Sequence, residues 1–574
     1  MEMNNNYVNK AGRLFGTHYA LLLWGVIFFM QCGKKDTPVP PPTPPTTSSF
    51  DVTAQTINGL NFNSTQTLRG INASPVIRLS FSDKADRSTV STAISFYNKS
   101  VGSAPVPFNV AYQNNDSALV ITPAAPIAYL SEYIFSLSNA LKSVSGKNLN
   151  GRIDLDFITQ IDSSNKFPTI SDAALLDTIQ RGTFSYFWEF GHPVSGMARE
   201  RNTSGDVVTT GGTGFGIMSM IAADSRGFIT HSAALQRIQK IVTFLKNNTQ
   251  KYHGAFAHWV NGSSGATIPF STKDDGADLV ETSLLMEGLL CARQYFNTAD
   301  ATETALRSDI NTIWQNVEWD WFRKSGEDVL YWHWSPNYAW DINLPIKGWN
   351  ECLLVYALAA SSPTHSIPKS VYDKGWASNG AIKNGNNYYG FTLPLGPAQG
   401  GPLFFAHYSF LGINPNGLAD AYAKYDEQNQ AHSKINYNYC VANPKAYYGY
   451  SNSVWGLTAS DDISGYAVHS PTSDNGVISP TAALSSMPYT PVESLRALKF
   501  FYYTLGDKLW KPYGFIDAFS LNDLWYSNSF LAIDQGPIVV MIENYRTGLL
   551  WNLFMSCPEV KTGMKALGFT SPHL

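Results

Sequence analysis

Lys273-Asp-Asp-Gly-Ala-Asp-Leu-Val-Glu-Thr282 opens a stretch whose apolar positions keep a helical period as far as residue 296. Asp274, Asp278 and Glu281 recur at i, i+4 and i+7, so on a helix they share one face. Acids at a helix start also interact favourably with its dipole, so a solvated structural stripe and a functional one both fit this spacing. Outward from here, the same periodicity marks 171–190, 214–225, 231–248, 301–317, 347–361 and 417–436. Ser171-Asp172 and Thr230 read as helix caps, and Pro491 with Glu493 suits the first turn of a segment ending near Leu505. Weaker segments at 368–376, 404–410, 478–486 and 535–555 bring the total to about twelve. Twelve helices over this length suit two concentric rings of six, an all-α (α/α)6 toroid, better than a bundle. The loops between them are long and rich in Gly, Trp, Tyr and Asp, and long loops in a compact domain are usually functional.

Upstream the pattern changes. Residues 50–162 contain short runs with alternating apolar positions at 76–81, 108–112, 118–122, 133–137 and 153–158, separated by Asn, Asp, Gly and Pro clusters as in a β-sandwich. Ser74-Pro75 through Phe81, Leu119-Val-Ile-Thr-Pro123 and Gly146-Lys-Asn-Leu-Asn-Gly151 resemble bacterial immunoglobulin-like domains that precede catalytic modules. The organisation is therefore multi-domain: an N-terminal all-β Ig-like sandwich at 50–162, then the helical domain at 167–574. Residues 32–49 are proline-rich and read as an extended linker.

Residues 1–31 combine Lys10, Arg13 and His18 with an apolar run from Tyr19 to Met30, too short to span a bilayer as a mature helix and suited to a signal peptide. Gln31-Cys32-Gly33 follows and resembles a lipobox, although Gln31 replaces the usual small residue. Cys32 is the expected lipidation site, which places the protein as an exported bacterial lipoprotein associated with the outer membrane, on its periplasmic face or the cell surface. Cys291, Cys352, Cys440 and Cys557 show no metal-ligand spacing and are read as buried thiols.

Of 574 residues, 15% are charged and 13% aromatic, with a net charge of −4. That balance excludes a nucleic-acid partner, which needs a basic footprint, and the aromatic excess suits sugar faces as well as cores. Gly211-Gly-Thr-Gly-Phe-Gly216 superficially matches a nucleotide-binding loop, but it follows no strand of a βαβ unit and is read as a close-packed barrel loop. A serine-hydrolase triad lacks its GxSxG elbow.

Glycosidic hydrolysis needs one carboxylic acid to protonate the leaving oxygen and a second carboxylate to activate water or attack. Besides the 273–282 acids, Glu351 lies between Tyr331-Trp-His-Trp334 with Trp349 and an apolar helix, surroundings that raise a carboxyl pKa. Asp534 stands alone before a strongly apolar helix, where it can also serve as a cap. Glu543 is placed to pair with Arg546 at i+3.

Phe184 to Arg201, Lys273 to Thr282, Tyr331 to Pro336, Trp455-Gly-Leu-Thr-Ala-Ser-Asp461 and Ala532-Ile-Asp-Gln-Gly-Pro-Ile538 together resemble the bacterial glucoamylase-like proteins of glycoside hydrolase family 144, the endo-β-1,2-glucanases. The resemblance covers about residues 167 to 565. It implies an (α/α)6 barrel with a cleft across its mouth, and inverting hydrolysis of β-1,2-linked glucan with no cofactor and no metal. It also implies Glu351 as general acid and Asp534 as base, with Asp461 as a rival base. Asp274, Asp278 and Glu281 become sugar-contacting acids, Trp188, Trp259, Trp332, Trp334 and Trp349 sugar platforms, and Arg199, Arg201, His333 and His407 hydrogen-bonding partners. The expected partners are a glucan and, through the lipid, a membrane; the chain is expected to be a monomer. A surface lipoprotein that binds glycan without cutting it, or a hydrolase of another glucan linkage, fits the same motifs.

Overall fold

The computed structural model describes residues 49–63 and 65–574. The segment expected to be a signal peptide, Cys32 and nearly all of the proline-rich linker lie outside the described residues. Two compact units divide between Gln160 and Ile161.

The first unit is a sandwich of two five-stranded sheets. Strands β1 (Val52–Ile57), β2 (Leu60–Asn61), β4 (Ile77–Phe81), β7 (Phe108–Gln113) and β8 (Ala118–Pro123) pair in the order β2-β1-β4-β8-β7. The other sheet, β3-β10-β9-β5-β6, comprises β3 (Leu68–Ile71), β5 (Ile94–Asn98), β6 (Ala104–Pro105), β9 (Glu132–Leu137) and β10 (Ile153–Thr159). Alternation sends Leu79, Leu119, Phe135, Leu155 and Phe157 into the space between the sheets. The short helix α1 (Arg87–Ala93), capped by Asp86, leads into β5. The pattern of the sequence does not announce β1 and β5, because Thr53, Gln55, Ser95 and Asn98 dilute their apolar content.

The second unit alternates outer and inner helices. The outer set is α2 (Asp172–Trp188), α4 (His231–Asn247), α6 (Ala301–Gln315), α8 (Lys369–Val371) continued by a π-turn to Trp376, α9 (Tyr425–Ala442) and α11 (Pro491–Lys499). The inner set is α3 (Thr210–Ser225), α5 (Leu279–Tyr295), α7 (Leu353–Ser361), a 3-10 segment over residues 403–410, α10 (Pro480–Ser485) and α13 (Ala532–Thr547). Inner helices are buried almost all round, whereas α4, α6 and α11 bury one stripe. The short α12 (Gly506–Leu509), α14 (Leu549–Met555) and α15 (Pro558–Leu567) complete the set.

The inner helices start at one end of the ring. Gly211 N–H, in the first turn of α3, donates to Glu281 in the first turn of α5 at 2.8 Å. Thr481 Oγ1 of α10 donates to the Asp534 carbonyl of α13 at 2.8 Å. Leu354 N–H of α7 donates to Ser409 Oγ at 3.0 Å.

Several boundaries differ from the sequence reading, each for a local reason. The glycine-rich 211–216 run is not a loop but lies within α3, where a Cβ on Gly214 would stand 2.2 Å from the Leu284 carbonyl oxygen. Glycine there lets α3 and α5 approach backbone to backbone. Residues 347–352 form turns, with Gly348 at φ 80° and Asn350 Oδ1 accepting from Cys352 N–H, so α7 starts only at Leu353. A tight Ala419–Lys424 turn delays α9, and Gly548 at φ 70° divides α13 from α14. Glu543 does not pair with Arg546: it points into the interior, where Arg226 grips it at 2.7 and 3.1 Å, while Arg546 reaches Asp177 at 2.6 Å. Cys291, Cys352, Cys440 and Cys557 are buried and free. Among the described residues, no helix is long and apolar enough to cross a membrane.

Candidate active site

The loops that feed the inner helices carry the acids. Strand β11 (Val207–Thr209) leads into α3 and pairs with β12 (Trp259–Asn261), which in turn pairs with β13 (Thr267–Ile268). Strand β14 (Ala277–Asp278) leads into α5 and pairs with β15 (His333–Trp334), setting Asp278 directly across from His333. Asp278 caps α5 by accepting from Glu281 N–H at 2.9 Å, and Glu281 accepts from Gly211 N–H and from Thr209 Oγ1. His258 joins them, its Nδ1 3.0 Å from Asp278 Oδ2 and its Nε2 3.9 Å from Glu281 Oε1. Asp274 is 2% exposed and lies 3.3 Å from His333 Nε2.

Burial opposes charge on His258, yet Glu281, Asp278 and Asp274 around its ring push its pKa up to about 9. Burial, then Asp278, pushes Asp274 up to about 7. Burial lowers the pKa of His333, and neither of its ring nitrogens makes a hydrogen bond. Ligating atoms of His258, Asp274 and Asp278 fall within 4.8 Å of one another, close enough for a cation. An imidazolium at His258 donates at both nitrogens and supplies positive charge to the same carboxylates.

Glu351 precedes α7, next round the ring. Ser409 Oγ fixes it by donating to its carbonyl. Its side chain is 7% exposed, Oε2 has no hydrogen-bond partner, and burial raises its pKa.

A second carboxyl group lies across the ring at the start of α13. Asp461 belongs to β18 (Ala459–Asp462), which pairs with β19 (Gly465–Val468); between β15 and β18 the chain adds only the short hairpin β16 (Asn387–Tyr388) and β17 (Phe391–Thr392). Arg201 bridges to Leu531, just before α13, and its guanidinium reaches Asp461 at 3.0 and 3.3 Å. Asp461 N–H donates to Asp517 Oδ2 at 2.6 Å. Asp534 is 2% exposed with Oδ2 unpartnered, and burial followed by the adjacent Asp517 holds its pKa well above the carboxylate range. Burial raises Asp517 to about 7. Two carboxyls this close share protons and titrate as a pair. A cavity of about 380 Å³ opens beside them, lined by Arg201, Asp461, Tyr466, Trp525 and Ser529 among others. Tyr408 is buried within electrostatic reach of both Asp534 and Glu351 and so links the two walls.

The structure thus gathers Asp274, Asp278, Glu281, His333, Glu351, Asp461, Asp534 and Arg201 at one mouth. Trp259 packs at its edge against His258 and Phe270, and half-buried Trp332 lies against His333. Others are used elsewhere. Trp349 is 4% exposed and packs inward on Phe410, Tyr425 and His432. His407 is buried, bonds Ser486 and stacks on Tyr489, and its pKa falls to about 3. Arg199 holds the carbonyls of Gly205 and Phe190, and Trp188 lies under Arg237 of α4. Asp517, His258 and Tyr408 were not expected. For Asp517 the signal is present, a lone acid in Phe515-Ile-Asp-Ala-Phe519.

A family model described as "Putative glucoamylase" matches residues 343–558, and one for a bacterial Ig-like domain matches residues 43–159. A Bacteroides uniformis crystal structure described as a "putative glucoamylase" is 56% identical, with a TM-score of 0.70, and the match covers 71% of this chain and 100% of that one. An endo-β-1,2-glucanase from Chitinophaga pinensis, in complex with sophorotriose and glucose, is 51% identical with a TM-score of 0.69, over 71% of this chain and 100% of that one. An exo β-1,2-glucooligosaccharide sophorohydrolase (non-reducing end) from Parabacteroides distasonis is 46% identical over 71% of this chain, and the chain spans 60% of that relative's length. The gathered mouth, the ring that frames it and these likenesses agree: the chain belongs to the glucoamylase-like family, kin of the endo-β-1,2-glucanases, with a bacterial Ig-like domain ahead of the helical one.

Proposed function

We propose that the helical domain is a glycoside hydrolase that cleaves β-1,2-linked glucan with inversion. The observation that carries this is Glu351: a nearly buried carboxyl with one unpartnered oxygen, raised in pKa, within electrostatic reach of Asp278 and sharing Tyr408 as a neighbour with the second group of carboxyls around Asp534. A glycan binder needs aromatics and amides but no such proton donor. The linkage rests on the relatives, since the Chitinophaga and Parabacteroides proteins act on β-1,2-linked glucan and its oligosaccharides.

In this reading Glu351 protonates the glycosidic oxygen as the bond breaks, while a carboxylate of the Asp534 group takes a proton from the attacking water. Asp534 and Asp517 share a proton, which leaves one carboxylate of the pair ionised; Asp534 is taken as that base, with Arg201 holding Asp461 against the pair. Asp274, Asp278, Glu281 and His333 position sugar hydroxyls. The chain is further proposed to be exported, to carry lipid on Cys32 and to act as a monomer.

Reducing-sugar release across β-1,2-, β-1,3-, β-1,4- and α-1,4-glucans tests the reading. The β-1,2 polymer is the expected substrate, and Glu351→Gln lowers kcat by about 10²–10⁴-fold; a wild-type protein that binds this glucan without cleaving it contradicts the proposal. For Asp517→Asn the sign is set by charge: removing a neighbouring negative charge lowers the pKa of Asp534, so its carboxylate survives to lower pH. The acid limb of the pH profile of kcat/KM therefore moves to lower pH, and kcat at the optimum falls by less than roughly a hundredfold, the smallest loss expected of the base itself. An unmoved acid limb counts against the pair. Expressed in a bacterial host, the wild-type protein partitions with membranes and Cys32→Ala does not; equal partitioning removes the lipid anchor.

A further inference from the structure

The indoles of Trp321 and Trp340 form a corner outside the catalytic group. Their rings stand 6.3 Å apart and are tilted by 34°, and Trp321 is 40% exposed. The corner opens on a cavity of about 340 Å³, lined also by Glu318, Asp320, Ser325, Gly326 and His365. That volume falls in the ordinary range for small-molecule sites, about 300–1,000 Å³.

Its walls are held in place. One face of Trp321 stacks on His253 at 3.8 Å and 16°, and Glu318 holds that imidazole at 2.9 Å. Trp340 packs edge-on against Phe322 and Tyr331. His365 lies 3.0 Å from Asp320. The floor turns through Lys324, Ser325 and Gly326, all at positive φ. Two successive non-glycine residues in that conformation cost energy, a kind of strain that collects at functional sites. An aromatic chain also joins the corner to the mouth: Trp334 is edge-on to both His253 and Trp321, and its neighbour in β15 is His333.

We propose that this corner is a distal glucan-holding subsite, in which a pyranose unit of a long neutral glucan stacks by its C–H face on Trp321 and Trp340. Glu318, Asp320 and His365 present acceptors and donors to its hydroxyls. The acidic lining disfavours an anionic ligand, and the two hydrophobic faces match what a sugar ring offers. The subsite rests on the hydrolase reading above and extends it to chain length: it engages substrates longer than those the cleft alone holds.

The test uses Glu351→Gln full-length protein, which removes turnover, with and without Trp321→Ala and Trp340→Ala. Binding of long β-1,2-glucan and of sophorotriose is measured by calorimetry. The double substitution weakens the long glucan by about tenfold, the loss of one or two aromatic contacts, and changes sophorotriose by less than about twofold. Trp321→Phe with Trp340 intact retains most of the affinity for the polymer, and thermal unfolding of each variant confirms its fold. An equal loss for both ligands, meaning that the indoles only prop up Trp334, or no loss for either, overturns the subsite alone. Absence of glucan binding with both indoles intact overturns the subsite and the substrate reading together.

Discussion

Closing six helices into a ring brings their amino-terminal turns around one shared depression. Each turn carries N–H groups with no partner inside its own helix, and the depression is where those groups are satisfied by side chains. Asp278 and Glu281 answer that need directly, taking N–H groups of α5 and α3. The same closure removes water. Every carboxyl in the depression therefore stands between two opposing effects, the hydrogen bonds and positive charges that favour its ionised form and the burial that penalises it.

The outcome differs from residue to residue. Glu351 and Asp534 each leave one oxygen without a partner, and burial prevails in both. An unpartnered oxygen is not sufficient by itself. Glu287, in the middle of α5, has the same features but is sealed, bonded to Gly412 N–H, and ties α5 to the adjoining inner segment. Position at a helix start, with a trace of exposure, separates Glu351 from such a structural acid. Asp534 shares its proton with Asp517, which leaves one carboxylate of that pair ionised while Glu351 keeps its own proton, so one site contains both a proton donor and an acceptor.

The helical ring was largely legible because long inner and outer helices keep their period, and a short sandwich core shows in its alternation. Short elements at the mouth were less so. The 403–410 segment and α10 are too brief for periodicity, and glycine turns such as Gly348 move helix starts by several residues. The acids Glu351 and Asp534 were visible as lone charges in apolar surroundings. The aromatics were not separable by that rule, since Trp349 fills the interior while Trp321, in a very similar indole-rich context, is exposed. Tertiary packing decides which face of an indole remains free, and no local pattern encodes it. His258 escaped notice for a related reason: its role comes from acids brought to it by β14 and α5.

Hydrolysis by this site turns on the protonation of a single side chain, Glu351. Infrared difference spectroscopy of wild-type protein against Glu351→Gln, recorded through a pH titration, isolates the carbonyl stretch of that carboxylic acid. The prediction is a protonated-acid band that persists above the pH at which an ordinary exposed glutamate ionises. A band that vanishes at the pH of an ordinary exposed glutamate would contradict it.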